Sequence, residues 1–321
     1  MRKTLLTLSL IATSLLSVSA VQARTLTLGH AMSLDSAAHK GMVIFSEKVK
    51  EKSHGELTVK IFPNAQLGSE RDQAEQVING AIDMAKINGA LAESFEPTFK
   101  TISIPYLFRS PEHLRKFMRS DVAQKLLTSS EGKGFVGLTF YDSGSRSFYA
   151  KKPIKTPEDL KGLKVRVPES PTMMEMIRLL GAKATPMPFN EIYTGLQQGV
   201  IDAAENNISS LVEMKHSEVA KFYSMDQHSI TPDLIIISES TWNSLKPEEQ
   251  KVLKEAAAES LEQEINIWDQ ITNANKEKAI KSGVTFVKVD KQKFQEKVKP
   301  MLDSALKDPK LSYYVKQIQA M

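Results

Sequence analysis

Strand-like and helix-like stretches alternate along this chain, and the alternation starts over in its middle. Thr25-Leu26-Thr27-Leu28 reads as a strand, and a helix follows from about Ala37 to Lys52 with Met42, Phe45 and Val49 at helical spacing. Gly55 stops that helix, and Leu57 to Phe62 alternates side chains in the two-residue rhythm of a strand. Ser69 caps a helix that carries Glu70 and Asp72 in its first turn and runs to Gly80. Ile82 to Ile87 is a third strand. The cycle resumes with strands at Gly137 to Tyr141 and Arg146 to Ala150, a proline-started turn of helix at Pro157 to Gly162, and a strand at Leu163 to Val167. Helices over Thr172 to Leu180 and Asn190 to Gly199 follow. Strands separated by helices call for a largely parallel sheet covered by helices. Two such cycles in about 300 residues point to two α/β domains, the competing arrangement being one barrel of that size.

The longest helical signal begins at Pro247-Glu248-Glu249, where proline and acids suit a first turn. Leu253, Ala257, Leu261, Ile265 and Trp268 form an apolar stripe that fades near Ser282-Gly283. Unbroken, the helix would be about 50 Å long at 1.5 Å per residue, enough to brace two domains. A break near Asn273-Ala274-Asn275 would give two shorter helices, and the sequence leaves both open.

Arg2 and Lys3 precede an apolar run from Leu5 to Leu16, and small residues lead out of it to Ala20 and Ala23. A basic start, a short apolar stretch and a small-x-small exit form a secretory signal, here residues 1–23. The run is too short and too rich in Thr and Ser for a membrane span of about 20 apolar residues. Without Arg2 and Lys3 the 42 basic residues become 40 against 38 acidic ones, so the mature chain is nearly neutral. Its charges are interleaved, which argues against a nucleic-acid partner. The absence of cysteine excludes disulfides, thiolate metal sites and a thiol nucleophile, and a secreted chain without cysteine fits a bacterial periplasm.

Some motifs mislead. Gly132-Lys133-Gly134-Phe135-Val136-Gly137 matches a dinucleotide fingerprint, but a helix-like stretch precedes it and a strand follows, the reverse of the order phosphate binding needs. The histidines at 30, 39, 54, 113, 216 and 228 show no paired metal spacing, and neither HExxH nor GxSxG occurs. No feature supports an enzyme, a cofactor or a resident metal.

Two arginines stand apart from the scattered lysines because they lie on or beside mid-chain strands. Arg146 follows Ser143-Gly144-Ser145, and Arg166 occupies the polar face of the strand ending at Pro168. Strand ends present groups to the cleft of an open α/β sheet. Arginine suits two-pronged recognition of a carboxylate and stays charged when desolvated. A surface ion pair is the other reading of either residue.

The words around Arg166 are distinctive. Asp159-Leu160-Lys161-Gly162-Leu163-Lys164-Val165-Arg166-Val167-Pro168 is followed by Gly181-Ala182-Lys183-Ala184-Thr185-Pro186-Met187-Pro188-Phe189-Asn190 and then by Gly195-Leu196-Gln197-Gln198-Gly199-Val200-Ile201-Asp202-Ala203-Ala204-Glu205-Asn206. This succession resembles the solute-binding proteins of tripartite ATP-independent periplasmic (TRAP) transporters, from about Leu26 to the C-terminus and most strongly over residues 144–206.

The resemblance implies a two-domain α/β periplasmic binding protein of class II type, with a hinge, a ligand cleft and a long C-terminal helix spanning both domains. Domain I would hold 24–145 and about 231–270, and domain II 146–230 and about 271–321. It implies that Arg166 grips the carboxylate of an organic acid, that Arg146 and Asn206 support it, and that Phe189 lines the pocket. Glu70, Asn88 and His228 resemble polar positions facing the variable end of the ligand, and His30 in the first loop would line the same cleft. The sialic-acid branch resembles this chain less, because a glutamate is expected where Asn88 stands. Glu205-Asn206-Asn207 with the segments at His216 and His228 looks most like the hexuronate branch. The implied function is periplasmic capture of D-glucuronate or D-galacturonate by a monomeric receptor that delivers it to membrane permease subunits. A C4-dicarboxylate, a keto-sugar acid or sialic acid are the alternative ligands. A sensor subunit and a uronate-processing enzyme are the alternative roles.

Overall fold

A computed structural model describes residues 23–321; all but the last residue of the expected secretory signal lies outside them. The first lobe opens with β1 (Arg24–Gly29), α1 (Ala37–Lys52), β2 (Leu57–Phe62), α2 (Glu70–Ile78), β3 (Met84–Asn88) and the one-turn α3 (Gly89–Ala92). It continues through α4 (Pro111–Met118), α5 (Asp121–Leu127) and β4 (Phe135–Tyr141). The chain then crosses into the second lobe: β5 (Ser145–Ala150), β6 (Lys164–Val167), α6 (Pro171–Leu179), β7 (Lys183–Pro186), α7 (Ile192–Gln198), β8 (Ala203–Asn206), α8 (Ile208–Glu213) and β9 (Phe222–Ile230). It returns for β10 (Asp233–Ser238) and α9 (Glu239–Ser244), and α10 (Pro247–Lys281) runs back across both lobes. β11 (Thr285–Val287), α11 (Lys291–Lys307) and α12 (Ser312–Gln319) complete the chain.

The first sheet has the order β2-β1-β3-β10-β4, with β10 antiparallel to its neighbours and the rest parallel. The second has the order β11-β9-β5-β8-β6-β7, with β5 antiparallel to β8 and β9. Each lobe thus inserts one reversed strand, β10 or β5, at the place where the chain passes between lobes. Leu28, Met84, Ile87, Phe135, Phe140 and Ile236 anchor one core in the first lobe. The second sheet is covered on both faces, by a core around Phe148, Val165, Val167 and Met176 and by another around Tyr149, Ile192, Leu196 and Ile201. Val165 and Val167 point into the core while Arg166 points the other way, as a period of two requires.

The long helix is continuous over 35 residues, about 52 Å at 1.5 Å per residue. Asn275 does not break it because its side chain is buried and donates to Glu213 Oε1 at 2.8 Å, so the amide satisfies itself without interrupting the backbone ladder. The Gly132–Gly137 stretch forms the turn into β4, with no helix after it. The tail departs from the expected division. Leu311, Tyr314, Val315 and Ile318, grouped by sequence with the second domain, pack into the first lobe's core, and His113 Nε2 lies 2.7 Å from the Ile318 carbonyl.

The β4–β5 crossing is gripped by α10. Asp142 N donates to Glu264 Oε2 at 3.0 Å, and Arg115 pairs with both Asp142 and Asp269. Gly144 has φ +61°, and a Cβ there would lie 2.5 Å from Trp268 Cζ2, so only glycine fits the bend.

Candidate functional site: an interlobe cleft with one unmatched arginine

Between the lobes lies a cleft of about 340 Å³ including its mouth. Met32, Glu70, Lys86, Asn88 and Asp233 form its first-lobe wall, and Arg166, Pro168, Phe189, Asn206 and Ser210 its second-lobe wall; Ser143 and Arg146 lie at the crossing. Six of the eight residues singled out in the sequence therefore share one cavity.

Arg146 is neutralised by the protein. Its Nε and Nη2 donate to the two carboxylate oxygens of Glu205 at 2.7 and 2.8 Å, and Nη1 donates to Asn206 Oδ1 at 3.1 Å. Beneath it, His228 places Nε2 3.1 Å from Glu205 and Nδ1 2.8 Å from Asp226. Burial disfavours charge on both partners. Arg146 and the His228 hydrogen bond nonetheless hold Glu205 down to about 2. Asp226 and Glu205 likewise outweigh burial at His228 and raise it to about 9. Arg146, Glu205, His228 and Asp226 thus form a buried row of alternating charge.

Arg166 has no such partner. It is 3% exposed, its Nε and Nη2 donate to the Met187 carbonyl at 2.9 and 2.7 Å, and among the described residues no carboxylate pairs with it. Burial lowers its pKa to about 10, which still leaves it cationic at neutral pH. Asn206 Oδ1 accepts from Arg146 and from Asn207 N, so its amide NH₂ is the end left for another acceptor. Phe189 stands edge-on to His216 and closes the apolar side.

The first-lobe wall has the opposite balance. Lys86 Nζ lies 2.8 Å from Glu70 Oε1 and 2.9 Å from Asp233 Oδ2, one ammonium between two carboxyls. Burial works against the charge on Lys86, but Asp233 and Glu70 outweigh it and raise its pKa. Asn88 Oδ1 accepts from Ala90 N and its Nδ2 donates to Asp233, so both ends of that amide are engaged.

A match to the model of the family described as "bacterial extracellular solute-binding protein, family 7" covers residues 28–308. The chain belongs to this family. A solved TRAP periplasmic solute-binding protein from Xanthobacter autotrophicus, with bound β-D-galacturonate, is 39% identical, superimposes with a TM-score of 0.89, and the match covers 92% of this chain and 99% of that one. Another from Anaerococcus prevotii, with bound D-glucuronate, is 37% identical with a TM-score of 0.90, over 92% and 97% of the two chains. The 2,3-diketo-L-gulonate-binding periplasmic protein YiaO of Escherichia coli is 35% identical over 245 residues, 76% of this chain and 75% of that protein.

In this family 7 receptor, His30 and His228 do not line the cleft. His228 lies behind Arg146, against the Phe148 ring. His30 is buried at the end of β1, with Nδ1 accepting from Met32 N at 3.1 Å and Nε2 3.0 Å from His39 Nδ1. Burial, then His39 and Lys86, depress its pKa to about 3, so it is a neutral support for the loop that presents Met32. Sequence reasoning missed Lys86, Asp233 and Glu205. The signal was available for two of them: a lysine inside the buried run Met84-Ala85-Lys86-Ile87, and a glutamate after Ala203-Ala204, are charges where a strand core permits none without partners.

Proposed function

We propose that this chain is the periplasmic receptor of a TRAP transporter and that it captures a hexuronate, D-glucuronate or D-galacturonate, by its carboxylate. Arg166 grips the carboxylate, the Asn206 amide and Arg146 Nη1 support it, and Phe189 packs against the sugar. The observation that carries this reading is the isolation of Arg166: a fully buried guanidinium held by one carbonyl is a costly charge until an anion joins it. The ligands bound by the similar solved proteins support the uronate class.

The opposite wall favours a sugar acid over a C4-dicarboxylate. Glu70 and Asp233 outnumber Lys86, so this wall accepts hydrogen bonds from hydroxyls and repels a second carboxylate. In this reading the chain acts as a secreted monomer. Closure of the lobes about the 142–144 and 231–232 crossings presents the ligand-loaded form to the permease. Calorimetric titration with D-glucuronate, D-galacturonate, succinate and sialic acid tests it. Uronate binding that is lost in Arg166→Ala is expected, whereas succinate binding alone, or uronate affinity unchanged in Arg166→Ala, overturns it.

A further inference from the structure

Next to the cleft, a carboxylate of one lobe reaches into the other. Glu93 follows α3 of the first lobe, yet its Oε1 accepts from Thr172 N at 2.8 Å and from Ser170 Oγ, and its Oε2 accepts from Thr172 Oγ1 at 2.6 Å. Ser170 and Thr172 begin α6 of the second lobe. Glu93, Ser170 and Thr172 are all buried. Two contacts flank this one: Ser94 Oγ donates to the Glu169 carbonyl at 2.9 Å, and Arg71 Nε lies 3.0 Å from Glu169 Oε1.

The segments that meet here also form the cleft walls. Asn88 and Glu93 lie on one stretch of chain, Arg166, Pro168 and Ser170 on the other. Parting the walls parts these contacts. Helix α6 does not need Glu93 in order to form, because Ser170 Oγ already accepts from Met173 N at 3.1 Å as its N-cap. Glu93 is therefore a second, surplus cap, delivered from the other lobe to the helix that begins just after Arg166 and Pro168.

We infer that Glu93 is a closure latch: a positioning residue that never touches the ligand but engages the start of α6 only when the lobes close, and so supplies part of the affinity for the acid. The inference rests on the proposed function. A contact absent from the open form adds its free energy to binding by linkage, while a contact present in both forms cancels.

The test is a double-mutant cycle of Glu93→Ala and Thr172→Val, with Glu93→Gln as the conservative variant. Each protein is titrated with D-glucuronate and D-galacturonate, and its thermal unfolding is followed without ligand. The latch predicts a dissociation constant raised roughly 10- to 100-fold in Glu93→Ala, the equivalent of about one hydrogen bond to a charged group. It also predicts a smaller rise in Glu93→Gln, a double variant no worse than Glu93→Ala alone, and ligand-free unfolding unchanged. Dissociation constants within twofold of wild type overturn the latch, whether or not ligand-free stability falls. Ligand-free stability that falls in Glu93→Ala also overturns it, because the contact is then made before the ligand arrives, and so does additivity of the two affinity effects. A wild-type chain that binds neither uronate overturns the proposed function, and the latch with it. Uronate binding by wild type with the variants unchanged overturns the latch alone.

Discussion

Arg166 and Met187 are joined by a fork: two guanidinium N–H groups of the arginine converge on one carbonyl oxygen, at 2.9 and 2.7 Å. The carbonyl orients the side chain without cancelling its charge. Arg166→Met is therefore expected to leave ligand-free melting temperature unchanged or higher, because it deletes a buried unmatched charge. Uronate affinity should fall roughly 100-fold or more, since each hydrogen bond to a charged group contributes about 1.5–3 kcal/mol. Paired thermal-shift and calorimetric measurements check both halves, and a large drop in ligand-free stability would contradict the first.

Lys86 should behave in the opposite way. Lys86→Met leaves Glu70 and Asp233 facing each other in a buried wall, and removing one partner of a buried pair costs about 3–5 kcal/mol. Chemical denaturation should show a loss of that order. Adding Asp233→Asn to the variant should restore part of it.

His228 links stability to alkaline pH. Its folded pKa of about 9 lies above its ordinary value of 6.5, so the folded chain binds this proton more tightly than the unfolded chain. That contribution is fully present below about pH 6.5 and is lost as pH rises through about 9. Melting temperature should decline across this window in wild type and decline less in His228→Gln.

Glu213 works in the acid direction. Burial, and to a lesser degree Asp35, push its pKa up to about 7 from 4.5 despite the hydrogen bond from Asn275. The unfolded chain releases this proton first, so the group lowers stability as pH rises from about 4.5 to 7. Glu213→Gln should raise the melting temperature at pH 8 and have little effect at pH 4.

Gly144→Ala places a methyl group against Trp268 at a left-handed backbone position. A loss of about 1–3 kcal/mol is expected from the clash, with added strain from the positive φ. The fluorescence of Trp268 should report the disturbance directly.

The sequence made the layers legible because two-residue and helical rhythms are local. Leu57 to Phe62 and Ala37 to Lys52 were readable with their bounds. Strands β7 to β11 were not legible in the sequence. Asp233–Ser238 is apolar nearly throughout, and a strand buried on both faces has no alternation to detect. Most of the arginine wall was reached through the motifs around Arg166, while Lys86 and Asp233 were missed because their meaning depends on a pairing between β3 and β10 that are 145 residues apart for Asn88 and Asp233. The division of the long helix turned on Asn275, whose partner Glu213 is equally remote in sequence.

The return of α12 to the first core means that the described chain starts and finishes on the same body: Arg24 opens the first sheet and Ile318 packs beneath it. Reporters fused to the two ends would ride together and register no change however far the lobes swing. A sensor built from this receptor has to carry one of its two dyes inside the chain, on the outer edge of the second sheet at β7, where Lys183 faces solvent.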